Sequence, residues 1–292
     1  MIINGGKIAK KMYEKLREDV SQIKGDKPTL GAILVGDNSA SLRYIKQKRK
    51  WAKFVGMNFE LKQFEENISE KKLLQFIESW NNDENISGYI IQLPLPEHIN
   101  STKILRTVSP EKDVDGFHPE NQGKVLLGDE SGFAPCTPHG VMEIFEELGS
   151  LLTSPQGRGI KGLQGKEVVV IGKSNIVGKP LVAMLMNAGA TVITCNSKTP
   201  DINKFTKSAD IVICAAGVPG LLKLENISKD TIVIDVGFTI IDGKIYGDAE
   251  FEAIHENGNF ITPVPGGVGR LTVANLLKNT FKAYHQRETG LS

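Results

Sequence analysis

The sequence predicts an α/β protein made of two parallel-sheet domains in succession. Three observations carry this reading. The chain has 292 residues, enough for two domains of ordinary size. Short β-branched runs alternate with stretches of helical periodicity through both halves. A glycine-rich turn between a strand and a helix opens the second alternation. Hydrophobic residues make up 40% of the chain and charged residues 24%, an ordinary globular balance. Lys plus Arg number 35 and Asp plus Glu 34, a net charge of +1. That excludes a chain-wide basic field for nucleic acid or a membrane surface and leaves room for a local basic pocket.

Residues 6–24 read as a helix, with Ile8, Met12, Leu16 and Val20 spaced four apart. Thr29–Val35 reads as a strand closed by Gly36. Residues 40–55 read as a helix with Ser39 as N-cap and Gly56 at the C′ position. A strand over 57–64, a helix over 71–80 and a strand over 88–93, ended by Pro94, complete a strand–helix–strand–helix–strand series. Parallel pairing with crossover helices follows. Residues 94–137 read as a long loop holding five of the thirteen prolines, and its DVDGFHPENQG segment favours a functional loop. A helix over 140–148 leaves it, and 149–165 reads as small, polar surface.

The second series comprises strands at 167–171, 191–195, 210–215 and 231–236. Helices are expected from the turn to residue 187, over 200–207 and over 270–286. The boundary between domains falls near 140–165. The three cysteines, Cys136, Cys195 and Cys214, show neither a CxxC pair nor zinc spacing, which fits a reducing compartment. The N-terminal MIINGGKIAKK has no apolar signal core. The longest nearly apolar run, 211–222, holds 12 residues, against about 20 for a membrane span. The expectation is a soluble cytoplasmic protein.

The turn VVVIGKSNIVGKP brings backbone close to a helix N-terminus, as a pyrophosphate requires. It departs from G-x-G-x-x-G, with Gly172, Ser174 and Gly178 at the three places. The strand after its helix ends in Asn196, Ser197, Lys198 and Thr199, with no acid at the tip. An acid there would bind the ribose hydroxyl of NAD, whereas cations accommodate the 2′-phosphate of NADP. Lys198 and Lys173 point to NADP; the alternative is that both are solvated surface charges.

Tyr44 and Lys48 lie four apart on one face of the helix over 40–55, with Ser41 one turn earlier. The alternative is a chance pair on an amphipathic helix. Asp113 and Asp115 could bind a metal or a ligand's amidine edge, or form a solvated turn with a capping Asp. Gln92 ends a strand at the edge where α/β sites form, or is an exposed amide. His118 and His139 lack metal spacing, and Cys136 reads as a small buried residue.

In order, VGDNSASLRYIKQK, GYIIQLPLPEH, PEKDVDGFHPENQG, PCTPHG, VVVIGKSNIVGKP, ADIVICAAGVP, TIVIDVG and ITPVPGGVG-x-x-T cover nearly the whole chain. Together they resemble the bifunctional methylenetetrahydrofolate dehydrogenase/methenyltetrahydrofolate cyclohydrolase family. The resemblance implies an N-terminal α/β folate-binding domain over 1–140 and a Rossmann-type NADP-binding domain over 141–269. It also implies a folate cleft between them, a C-terminal helix over 270–292 packed back on the first domain, and a homodimer.

The activities implied are oxidation of 5,10-methylenetetrahydrofolate with NADP and hydrolysis of the methenyl product to 10-formyltetrahydrofolate. NAD is the second cofactor to consider, and no metal, nucleic acid or membrane is implied. Lys48 would be the catalytic lysine, Gln92 would tune it, Tyr44 would stack on the folate and Asp115 would bind the pterin edge. Ser41, Pro265, Gly266 and Gly267 would support or line the substrate site. Gly172, Lys173, Ser174, Ile176, Val177, Gly178, Ser197, Lys198 and Thr199 would hold the cofactor.

Three positions depart from the family pattern. Lys173 replaces an arginine, losing its bidentate fork. Asn196 replaces a histidine, and Arg270 replaces a proline. Rival readings are a monofunctional dehydrogenase and a non-catalytic folate- or nucleotide-binding relative.

Overall fold

The computed structural model describes residues 1–149 and 162–290. In chain order the elements are α1 (Gly5–Ser21), β1 (Thr29–Val35), α2 (Ser39–Val55), β2 (Asn58–Phe64), α3 (Glu70–Asn81), β3 (Gly88–Ile91), α4 (Ser101–Thr107), α5 (Pro119–Leu127) and α6 (Cys136–Leu148). They continue with β4 (Glu167–Ile171), α7 (Gly178–Asn187), β5 (Thr191–Cys195), α8 (Asn203–Thr206), β6 (Ile211–Cys214), β7 (Ile232–Asp235), β8 (Thr239–Ile241), β9 (Lys244–Tyr246), α9 (Phe251–Glu256) and α10 (Val268–Thr289). The chain divides into two compact bodies. The first comprises residues 10–125, 129–136 and 273–292, the second residues 1–9, 126–128 and 137–272.

The first body holds a three-stranded parallel sheet in the order β2-β1-β3. Central β1 is buried from Leu30 to Val35, which explains its unbroken apolar run: a parallel strand covered on both faces shows no alternation. Its core gathers Ile33, Ile77, Trp80, Tyr89, Ile91 and Ile104. Strand β3 is shorter than the sequence predicts. The Gln92 N–H makes the last ladder bond, 2.8 Å to Ile33 O, and Pro94 has no N–H to continue.

The cap of α2 corrects the expectation at Ser39. The Asn38 side chain accepts from the Ala40 and Ser41 N–H groups, and Ser39 is already helical. Gly56 does sit at C′, with φ 87°. The stretch 94–137 is also not one loop: it contains α4 and α5, with seven and nine residues. Elements this short complete too few turns for periodicity to show.

The second body holds a parallel sheet in the order β5-β4-β6-β7. From β4 the chain moves outward to β5 and then returns to the opposite side with β6. The strand order therefore reverses between β4 and β6, the place at which open α/β sheets bind ligands. Helix α8 spans only Asn203–Thr206, less than the expected 200–207. The β8–β9 hairpin and α9 were not anticipated. The hairpin turn is Asp242–Gly243, with φ 49° and 76°, a two-residue signal that the sequence carries openly. Most of the polar stretch 149–165 lies outside the described residues. Among the described residues no helix is long and apolar enough to cross a membrane.

Removing the observed cap separates it from the expected one. Asn38→Ala should cost about 1 kcal/mol of stability, while Ser39→Ala stays within a few tenths, as read from urea midpoints at constant m.

Candidate active site

Helix α2 buries Ser41, Ile45, Lys48, Ala52 and Val55. Those positions form one stripe at helical spacing, so Ser41 and Lys48 occupy places that packing alone would give to apolar residues. Lys48 is 9% exposed, whereas Tyr44, beside the stripe, is 37% exposed. The Lys48 Nζ donates to Gln92 Oε1 at 2.9 Å. Gln92 is itself buried, and its Nε2 donates to Leu93 O at 2.8 Å, which turns the amide oxygen toward the lysine. Burial pulls the Lys48 pKa below the ordinary lysine value, and the nearby Asp115 charge opposes that shift. Gln92 is thus an internal partner of Lys48 rather than an exposed amide.

The two acids of the following loop have separate jobs. Asp113 is buried and accepts from the Phe117 N–H at 3.1 Å, the His118 N–H at 2.7 Å and Asn121 Nδ2 at 2.9 Å. It braces the loop and is not a solvated turn. Burial pushes its carboxyl up to about 7 against those donors. Among the described residues no group of three His, Cys, Asp or Glu is placed to hold a metal. Burial raises the Asp115 pKa, and the Lys48 charge and the Cys136 thiol lower it.

The backbone around Asp115 is fixed by close approach and by a buried amide. Gly116 has φ 75°, and a Cβ there would meet Pro135 N at 2.6 Å, so only glycine lets these segments touch. The Cys136 thiol donates to Val114 O at 3.3 Å. Asn279, on α10, donates through Nδ2 to Val114 O at 2.9 Å and Ala134 O at 3.0 Å. The sequence reading missed Asn279. Six of the thirteen residues over 271–283 are polar, so nothing in the local pattern set Asn279 apart, although it and Thr280 beside it are both buried.

In the second body, Gly172 has φ 144°, and a Cβ there would lie 2.3 Å from Ala215 O. A Cβ on Gly178 would lie 2.4 Å from Gly172 O. Both glycines are needed for the turn to lie flat against the strand ends. Ser174 Oγ accepts from the Val177 N–H at 3.1 Å and the Gly178 N–H at 3.3 Å, closing the turn onto α7. Lys173 and Ser174 are exposed, Ile176 and Val177 half-buried. Beyond β5, Asn196 Oδ1 accepts from the Lys198 N–H and Thr199 Oγ1 from the Asn196 N–H, both at 3.0 Å. Ser197 and Lys198 are exposed at this tip, and the next acid, Asp201, accepts from the Asn203 N–H at the start of α8. Lys173 and Lys198 are two exposed cations, one on the turn and one beyond β5, which fits a phosphorylated dinucleotide. In the same body Gly267 N–H donates to Pro263 O at 2.7 Å, closing a loop with Pro265 exposed and Gly267 buried. Arg270 is exposed in the first turn of α10.

Asn279→Ala takes the Nδ2 donor from Ala134 O and leaves Val114 O with the Cys136 thiol alone. It should lower the stability of the first body by about 1–2 kcal/mol, measured by chemical denaturation.

The geometry can be set beside known proteins. Residues 3–115 match the model of the tetrahydrofolate dehydrogenase/cyclohydrolase catalytic domain, and residues 135–288 match that of its NAD(P)-binding domain. The bifunctional protein FolD of Nautilia profundicola is 48% identical over 97% of this chain and 96% of its own length. That of Hydrogenobaculum sp. is 45% identical over 98% and 99%. The crystal structure of the bifunctional enzyme FolD from Campylobacter jejuni superposes with a TM-score of 0.91 at 43% identity, covering 98% of this chain and 99% of its own. The Trypanosoma brucei dehydrogenase–cyclohydrolase, solved with NADP and an inhibitor, gives 0.89 at 34% identity over 100% and 99%. The chain belongs to the tetrahydrofolate dehydrogenase/cyclohydrolase family.

Proposed function

We propose that this chain is a bifunctional enzyme of one-carbon folate metabolism. It oxidises 5,10-methylenetetrahydrofolate to the 5,10-methenyl form with NADP⁺, then hydrolyses that product to 10-formyltetrahydrofolate. The observation that carries the reading is the Lys48 amine, buried and held 2.9 Å from Gln92 Oε1 on the one α2 stripe that also carries Ser41.

NADP⁺ supplies the hydride acceptor. Gly172, Ser174, Ile176, Val177 and Gly178 would hold it along the turn, and Lys173, Ser197, Lys198 and Thr199 would receive the 2′-phosphate. The nitrogens flanking the methylene carbon stabilise the resulting cation, so this step asks the protein for alignment rather than for a strong base. Tyr44 offers an aromatic face to the folate, and Asp115 offers acceptors to the pterin edge. Pro265, Gly266 and Gly267 line the substrate site in this reading.

Hydrolysis is different, because water attacking the amidinium carbon must lose a proton. A free lysine is protonated at neutral pH and is a poor base. Burial makes the Lys48 amine easier to deprotonate. Gln92 Oε1 takes one of its N–H bonds, which directs the remaining positions. Lys48 then accepts the water proton and returns it to N5 as the C–N5 bond breaks; the carbinol hydroxyl releases its proton to solvent, and the formyl group stays on N10. The reading includes a folate domain over 1–140 joined by 270–292, a cofactor domain over 141–269, and a homodimer in the cytoplasm. The three buried thiols, Cys136, Cys195 and Cys214, suit a reducing setting.

Initial rates with methylenetetrahydrofolate, comparing NADP⁺ with NAD⁺ while methenyl product is followed directly and after acid quench, test the reading. Faster reduction of NADP⁺ with enzyme-dependent loss of methenyl product is the expected result. Methenyl accumulation without hydrolysis would leave a monofunctional dehydrogenase, and no turnover by folded protein would leave a binding protein. Lys48→Met should lower the hydrolytic kcat about a hundredfold or more, because proton transfer contributes on that scale, while the circular dichroism spectrum is unchanged. Gln92→Glu places a carboxylate against the amine and stabilises its charged form. The limb of the hydrolytic pH profile that rises as Lys48 loses its proton should therefore move to higher pH; a limb that stays in place would remove Lys48 as the base.

A further inference from the structure

A buried carboxylate that the mechanism does not use holds the segment that follows β6 in the second body. Asp248 is fully buried and accepts from three consecutive backbone amides. The Ala216 N–H donates to Oδ2 at 2.7 Å, the Gly217 N–H to Oδ2 at 3.0 Å and the Val218 N–H to Oδ1 at 2.7 Å. Three successive amides converging on one point form an anion nest, of the kind that elsewhere receives a phosphate. Here the protein fills the nest with its own side chain.

The nest is held in turn by a second carboxylate. Asp235, at the end of β7, accepts from the Asp248 N–H at 3.0 Å, the Ala249 N–H at 2.9 Å and the Gly237 N–H at 2.9 Å. Two glycines make the approach possible. A Cβ on Gly247 would lie 2.1 Å from Asp235 Oδ2, and one on Gly237 would lie 2.2 Å from Asp248 Cγ. The chain thus runs from the sheet end through Asp235 to the backbone at 248 and 249, and from the Asp248 side chain to the backbone at 216–218.

That last segment follows β6 directly, at the point where the strand order reverses. Ala215 N–H extends the ladder to Ile171 O at 2.8 Å, and Ala215 O is the atom against which Gly172 is packed. Residues 216–219 are exposed, while Asp248 grips them from inside. We infer that Asp248 is a positioning residue for cofactor binding: it sets the 215–218 wall opposite the Gly172–Gly178 turn. By consuming the three amides it also keeps this wall from competing with the turn for the pyrophosphate. The inference rests on the cofactor reading above.

The test is calorimetric titration of the intact protein with NADPH, alongside dehydrogenase kinetics. In Asp248→Asn an amide nitrogen replaces one acceptor and faces a backbone N–H in either orientation. NADPH should bind about tenfold more weakly, the scale of one lost charge-assisted bond. The KM for methylenetetrahydrofolate at saturating NADP⁺ should move less than about twofold, since local misplacement of the wall spares the first body. Unchanged NADPH affinity in the variant overturns the inference and leaves the cofactor reading intact. Proportional loss of both affinities overturns it as well, since that marks general destabilisation. Absence of NADPH binding by the unmodified protein overturns both. Should Asp248→Asn not fold, Thr239→Val reads the same wall, because the half-buried Thr239 donates through Oγ1 to Gly217 O at 3.1 Å. It should weaken NADPH about two- to threefold, the scale of one neutral bond; no change there overturns the inference.

Discussion

An amine taken out of water must be met by an acceptor, and much of the first body follows from how Lys48 meets that demand. Its position on α2 belongs to the buried stripe, so the side chain cannot turn to solvent without unpacking Ile45 and Ala52. Gln92 supplies the acceptor because β3 ends where it does, after Ile91. That ending depends on the pairing of β3 with β1 and on the proline two residues later. Helix, sheet register and strand end are therefore coupled through one 2.9 Å bond. The same burial that makes the bond necessary lowers the affinity of the amine for its proton, and this links packing to chemistry.

Both bodies solve the problem of buried charge by similar means and with opposite sign. In the first, the Gln92 amide oxygen and the nearby Asp115 carboxylate offset the charge of Lys48. In the second, backbone amides surround two carboxylates, Asp235 and Asp248. Burial pushes Asp235 up to about 6 even with three amides directed at it, so the donors offset the desolvation only in part. A group held at such cost is a rigid reference point, since no alternative position satisfies it. Asp113 and Asn279 play that part around Asp115, where each holds several atoms of the loop at once.

Legibility from sequence varied with the range of the interaction. The strands Thr29–Val35, 167–171 and 191–195 agree with the observed elements to the residue, because β-branched runs between turn residues report a local preference. Gly56 was legible for the same reason: a left-handed residue at the end of a helix favours glycine in any context. Ser39 was misread because two capping residues stood side by side, and backbone geometry chose Asn38. Helices α4 and α5 were invisible to periodicity, and the Asp242–Gly243 turn was present but passed over.

Composition, periodicity and motif spacing determined by themselves that this is a two-domain α/β protein with a glycine-rich strand-to-helix turn at Gly172. They also placed Tyr44 and Lys48 on one helix face. Those are properties of neighbours in the chain, which local backbone preference and side-chain alternation encode. Tertiary structure alone decided that Lys48 is buried, that its partner is Gln92, 44 residues away, and that Asn279 reaches Val114 across 165 residues. It also decided that Asp113 is a brace rather than a solvated turn. Each of these depends on which atoms desolvation leaves in want of a partner, and that is settled only when distant segments close on one another.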